Sequence, residues 1–365
     1  MGTAVTGPRD VARWRLHSQH LVAPHAESAG TVVRHLLAVQ AENPGQAAWA
    51  VACRTRAADP GDLAGLLDDG QVVRTHVLRP TWHFVAAVDV AWLTEVTAPR
   101  VRPVVARQLM EVHGLTPAEV DRATELVVDL LAAEPDRTRD ELARRLEESG
   151  LPVTGQQLML LLATAELDRL VCSGRPREGT HTYARFEDRV PRVDRRDREE
   201  ALAELALRYF TGHGPATERD LAYWATLTLG DVRRGLAQVQ DRLASFEHEG
   251  RTFWHDPAST APQGAPEPAG HLLQILDEVY RGYQDSRMVL DADRVVPSGR
   301  ETAIGMALVD GQMVARMKRT VGRRVVFELA PYRGTLSKKE RAVLEEAAAR
   351  YGAFLGLEPE LVVHA

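Results

Sequence analysis

In Gln40-Ala41-Glu42-Asn43-Pro44 a carboxamide and a carboxylate sit two residues apart beside a chain breaker. A carboxylate, ionised at neutral pH, can accept a proton from water. A carboxamide cannot take a proton there, but it can hold a water or a sugar oxygen in register. Without further context the stretch reads equally well as polar residues facing solvent at a helix end. Residues two apart on a helix do not share a face. Joint chemistry by Gln40 and Glu42 therefore needs a fraying helix end, which Asn43-Pro44 supplies.

Other polar residues suit contact with phosphates or bases. Arg79, Thr81, Trp82 and His83 sit on the first hairpin, though read singly Trp82 packs on the core and His83 is an ordinary strand residue. Arg175 and Arg177 lie in the Gly-rich tip Gly-Arg-Pro-Arg-Glu-Gly-Thr-His. Arg316, Lys318, Arg319, Arg323 and Arg324 follow closely with no acid among them, a pattern suited to clamping a nucleic-acid backbone or entering a groove. Cys53 and Cys172 are the only cysteines. They read as buried thiols in a reducing cytoplasm. No Cys/His spacing suggests zinc, so neither metal nor cofactor is expected.

The elements that must position these residues repeat along the chain. Residues 11–22 and 27–40 read as amphipathic helices, with Val32, Val33, Leu36, Leu37 and Gln40 at helical spacing. Pro44 opens a third helix through about Arg56, and Pro60–Asp69 gives a fourth that stops at Gly70. Two extended runs follow, Val72–Leu78 and Thr81–Val85. Helices followed by a hairpin is the order of a winged helix.

That order recurs. Thr116–Ala133, a helix opening at the capping box Thr138–Glu141, and Val153–Asp168 precede a hairpin of Leu170–Cys172 and Thr182–Phe186. Arg198–Gly212, a helix opening at Thr217, and Thr228–Leu243 precede a hairpin of Ala244–His248 and Thr252–Trp254. Residues 256–270 are rich in Pro, Ala and Gly and read as a linker. Beyond it, 271–283 is apolar and partly helical, and Ile304–Val309, Gln312–Lys318 and Arg324–Leu329 alternate as strands, with Asp310-Gly311 as a turn. A helix over Ser337–Tyr351 and a strand over Leu361–His364 close the chain. The predicted fold is α+β, mainly α with β-hairpins. Three tandem winged-helix domains (1–115, 116–196 and 197–258) precede a small barrel-like α+β domain (271–365).

The 365 residues carry a net charge of −6, are 44% hydrophobic and contain no run of ~20 apolar residues that would span a membrane. The N-terminus lacks the apolar core of a signal peptide. An acidic total argues against uniform nucleic-acid binding but allows local basic surfaces. A cytoplasmic monomer is expected.

Several stretches resemble, in order, the winged-helix DNA glycosylases of the AlkZ and YcaQ type. They are Leu36–Pro44, Val73–Val85, Gly214–Ala225, Leu276–Arg287 and Val309–Val314. Together they span nearly the whole chain. The resemblance implies a Gln-Φ-Gln or Gln-Φ-Asp catalytic motif, with Φ a small apolar residue, that maps to Gln40 and Glu42; Glu departs from both forms. It implies double-stranded DNA as partner and N-alkylated purines as substrates, including bulky adducts and crosslinks from genotoxic natural products. An N7-alkylguanine is already cationic and leaves without a general acid. Glu42 then serves as base for water and Gln40 positions that water. The competing reading is a non-enzymatic winged-helix regulator, the commoner use of that fold. It predicts sequence-specific binding without base release.

Overall fold

The computed structural model describes residues 7–260, 269–297 and 305–364. The chain opens with α1 (Pro8–Ser18) and α2 (Ala29–Leu36). Leu37, at φ 66°, turns the backbone out of α2. Next come β1 (Val39–Gln40), α3 (Pro44–Ala52), α4 (Pro60–Asp68), β2 (Val72–His76) and β3 (Trp82–Ala86). Asn43 and Asp59 cap α3 and α4, accepting amide hydrogens that have no intrahelical partner. The strands form one antiparallel sheet in the order β1-β3-β2.

The helix expected over 27–40 thus stops short of the polar pair. Val39 and Gln40 instead pair with Phe84 and His83 across the edge of β3. Periodicity sees only local spacing, and tertiary strand pairing claims the end of the run.

α5 (Ala87–Arg107) continues straight from β3 and contains Pro99 and Pro103, residues that locally argue against a helix. Burial of Val90, Leu93, Val96, Val101 and Val105 outweighs the missing amides. Then come α6 (Pro117–Ala133), β4 (Arg137–Thr138), α7 (Arg139–Glu148), α8 (Gly155–Leu167), β5 (Val171–Ser173), β6 (Thr182–Arg185) and α9 (Phe186–Arg189). They are followed by α10 (Arg198–His213), α11 (Glu218–Trp224), α12 (Leu229–Val239), β7 (Ala244–His248) and β8 (Arg251–His255). The capping boxes at Thr138 and Thr217 are formed, with Glu141 and Asp220 returning to the cap amides.

The last part holds β9 (Gly270–Leu273), α13 (Glu278–Arg281), α14 (Arg287–Leu290), β10 (Met306–Val309), β11 (Gln312–Val321), β12 (Val325–Pro331), α15 (Lys338–Leu355) and β13 (Pro359–Val363). Its sheet runs β13-β12-β11-β10-β9 and curls into a half-barrel, with β12–β13 the parallel pair. Asp310 and Gly311 adopt φ 53° and 73°, the two positive values of a type I′ turn. The stretch from His271, expected to be apolar and partly helical, begins as a strand: a short apolar run has no period of its own to mark it. Residues 261–268 of the expected linker and Ile304 of the expected strand lie outside the described residues.

α1 and α3 share a core with this sheet. Val11, Leu16 and Trp49 pack with Leu272, Leu308, Phe327 and Tyr351. The beginning and end of the chain are therefore built together, which brings residues near 278 to the loop at 40. Among the described residues no helix is long and apolar enough to cross a membrane.

Candidate active site

Gln40 is the last residue of β1, and Glu42 lies in the bend that leads from β1 into α3. Their expected place at a fraying helix end is corrected by this. Ala41 continues the ladder beyond Gln40, its N–H donating to the Trp82 carbonyl at 2.7 Å. The pair is therefore not on a helix, and the turn into α3 sets where Glu42 projects relative to Gln40.

Each side chain is held on one side. The Gln40 Oε1 accepts from Arg79 Nη2 at 2.8 Å. Because a guanidinium only donates, the atom facing it must be the oxygen, and the Gln40 amide nitrogen is left to donate. The Glu42 Oε1 accepts the Trp82 N–H at 3.0 Å, and Glu42 is half-buried. Its other oxygen makes no hydrogen bond among the described residues. Arg74 grips the loop backbone, donating to the Ala41 carbonyl at 2.9 Å and to the Glu42 carbonyl at 3.5 Å. Its guanidinium lies 4.4 Å from the Trp82 ring centre.

Behind the loop is a buried polar network from the C-terminal part. The Gln40 N–H donates to Glu278 Oε1 at 3.0 Å. The other Glu278 oxygen accepts from Trp224 Nε1 at 2.9 Å and meets His213 Nε2 at 3.3 Å. Burial alone would raise the Glu278 carboxyl. The His213 hydrogen bond, with the charges of His213 and Arg79, outweighs it and holds the group at about 2. Arg79 also donates to the Arg281 carbonyl at 3.0 Å. Burial pulls its pKa down, and the Glu278 charge opposes this. Next to Glu278, Asp277 forms a fully buried ion pair with Arg54 at 2.7 Å. The Arg54 guanidinium also donates to Gln19 Oε1 at 2.9 Å.

The remaining candidates scatter. Thr81 is half-buried beside this network. His83 is wholly buried, with burial first and the Arg79 charge second pushing its imidazole down to about 3. The expected surface contact by His83 is corrected: its strand position faces inward. Arg79 likewise is spent on Gln40 and the backbone. Arg175 and Arg177 are exposed at the β5–β6 tip, where Arg177 pairs with Glu141. The basic run divides by strand alternation. Arg316 and Lys318 are exposed, with Lys318 3.5 Å from Glu328, while Arg319 turns inward against Tyr351. Arg323 and Arg324 are exposed at the β11–β12 turn, and Arg324 pairs with Glu360 at 2.9 Å. Cys53 and Cys172 are free, buried thiols. Among the described residues no group of three His, Cys, Asp or Glu could hold a metal.

Sequence reasoning missed Arg74, His213, Trp224, Asp277 and Glu278 as parts of the site. All but His213 lie inside the stretches that carried the resemblance, but nothing local marks a role for them.

The family profile described as DNA glycosylase AlkZ-like matches residues 33–354. A Streptomyces sahachiroi protein named interstrand DNA cross-link repair glycosylase is 25% identical over 364 residues, covering 93% of this chain and 94% of its own. The solved structure of Streptomyces sahachiroi DNA glycosylase AlkZ shares the fold, with a TM-score of 0.76 at 22% identity, covering 99% of this chain and 100% of that one.

Proposed function

The chain belongs to the AlkZ-like DNA glycosylase family, and from that premise we propose that it hydrolyses the N-glycosidic bond of alkylated purines in double-stranded DNA. The substrates are N7-alkylguanines, bulky adducts or interstrand crosslinks; the name of the Streptomyces relative supports the last of these. Water is the nucleophile. In an N7-alkylguanine the breaking bond leaves its electron pair on the cationic base, which departs neutral, and C1′ becomes oxocarbenium-like. Glu42 takes a proton from water as the new O–C1′ bond forms, and its charge stabilises the cationic sugar. The Gln40 amide donates to the water or to a neighbouring sugar oxygen.

The observation that carries this reading is the division of labour at the loop. Arg79 occupies the Gln40 oxygen, leaving a donor, while Glu42 keeps one carboxylate oxygen uncommitted as an acceptor. Lys318, Lys338 and Lys339 are the chain's three lysines, and none lies on the elements that carry the pair. That supports hydrolysis without an imine-forming lyase step.

We also read residues 1–115, 116–196 and 197–258 as three tandem winged-helix units and 271–365 as a fourth unit, acting on DNA as a monomer. The repeated helix–hairpin order and the matching capping boxes at Thr138 and Thr217 support this. Of the expected phosphate contacts, Arg175, Arg177, Arg316, Lys318, Arg323 and Arg324 are exposed, with Arg177, Lys318 and Arg324 each also near a glutamate.

The test is incubation with duplex DNA carrying defined N7-guanine adducts, scored for free base and alkali-labile abasic sites. Glu42→Gln should lower release by about 10²–10⁴-fold, the worth of a general base, with DNA affinity retained. Full activity in Glu42→Gln would refute the mechanism.

A further inference from the structure

Between α3, α15 and the inner face of the half-barrel lies a cavity of about 60 Å³ whose polar lining is Gln46, Trp49, Gln274, Arg319 and Tyr351. A single water needs roughly 15 Å³ on this measure, so the cavity has room for a larger polar group. Four buried atoms on its wall have no hydrogen-bond partner: Trp49 Nε1, Arg319 Nε, and both Gln274 Nε2 and Oε1. Trp49 is 6% exposed and Gln274 8%. Buried polar atoms are nearly always partnered by protein or water, so several orphans on one wall mark a place built for a polar guest.

Three of the four orphans are donors, and one belongs to a cation. Arg319 has no carboxylate within ion-pair distance among the described residues; Tyr351 is its hydrogen-bond partner. Burial lowers its pKa with no acid offsetting it. Neighbouring Lys318 and Arg324, by contrast, are each paired with a glutamate. The cavity lies along α3, the helix that the Gln40–Glu42 loop enters. Gln46 lies in the first turn of α3, four residues beyond Glu42, next to the exposed stretch 43–45.

We propose that this cavity is an oxyanion site that takes one backbone phosphate of the DNA strand passing the Gln40–Glu42 loop. Arg319 Nε, Trp49 Nε1 and the Gln274 amide donate to the phosphate oxygens. Its role is to fix the register of the strand so that a lesion sugar meets Glu42. This reassigns Arg319 from the exposed basic run to a cavity along α3. Phosphate binding here rests on the reading of the chain as a DNA enzyme, and only the register role rests also on Glu42.

The test uses the full chain and undamaged duplex DNA, with affinity measured across a salt series and folding checked by thermal melting. Arg319→Gln removes one phosphate-neutralising charge and should lower the slope of log K against log salt by about 0.9. Trp49→Phe removes one neutral donor and should weaken binding about tenfold while leaving the slope unchanged. A cavity filled only by water predicts altered melting in both variants with wild-type affinity and slope, which would overturn the proposal. Should the wild type bind no duplex at all, the DNA reading fails, and inorganic phosphate followed by ³¹P line broadening decides the cavity. Broadening lost in Arg319→Gln keeps the oxyanion site with a free anion as ligand; no broadening overturns it.

Discussion

Glu278→Gln is the sharpest test of how the loop is held. The carboxylate is fully buried and receives the Gln40 N–H, the Trp224 indole N–H and His213. Its carboxyl ionises at about 2 in the fold against 4.5 for the free side chain. Holding the carboxyl that far below its free value is worth on the order of 3 kcal/mol of stability at neutral pH. The folded pKa is the lower one, so the unfolded chain takes up the proton first as the solution is acidified. The contribution is complete above about 4.5 and is lost as pH falls towards 2. Glutamine keeps the shape but turns a donor towards other donors and leaves Arg79 without its buried counter-charge. Urea denaturation should place the variant about 3 kcal/mol below the wild type at pH 7, with the gap narrowing between pH 4.5 and 3. A gap under about 1 kcal/mol at pH 7, or one that does not change with pH, would refute the account of Glu278 as an ionised anchor.

Arg79→Met should release the Gln40 oxygen and let the amide rotate, lowering base release by about 10–100-fold and lowering the melting temperature because buried Glu278 loses a counter-charge, while DNA affinity changes little; an equal loss of affinity would instead make Arg79 a DNA contact. Arg74→Met should act on the same loop from its other side and add less than independently to Arg79→Met, as residues bracing one loop do, so strict additivity in a double-mutant cycle would separate the two. Cys53 and Cys172 should resist a thiol reagent in the native protein and react on unfolding, because burial pushes both thiols up, Cys53 to about 11; rapid native labelling would contradict their burial.

What the sequence determined by itself is what depends on neighbours a few residues away. The capping boxes at Thr138 and Thr217, the caps at Asn43 and Asp59, and the Asp310-Gly311 turn are each set by a side chain or a glycine acting within four residues. The element order follows from them, and the chemical types at 40 and 42 are legible in the same way. Tertiary structure decided everything that depends on what those elements meet. The helical run ending at Gln40 gave way to a strand because β3 offers an open edge. His83 and Arg319 point inward because a strand alternates and one of its faces is covered. The loop itself is anchored by Glu278, 238 residues further along the chain. A buried carboxylate shows no local pattern. It is affordable only where distant donors converge on it, and that convergence exists only in the folded protein.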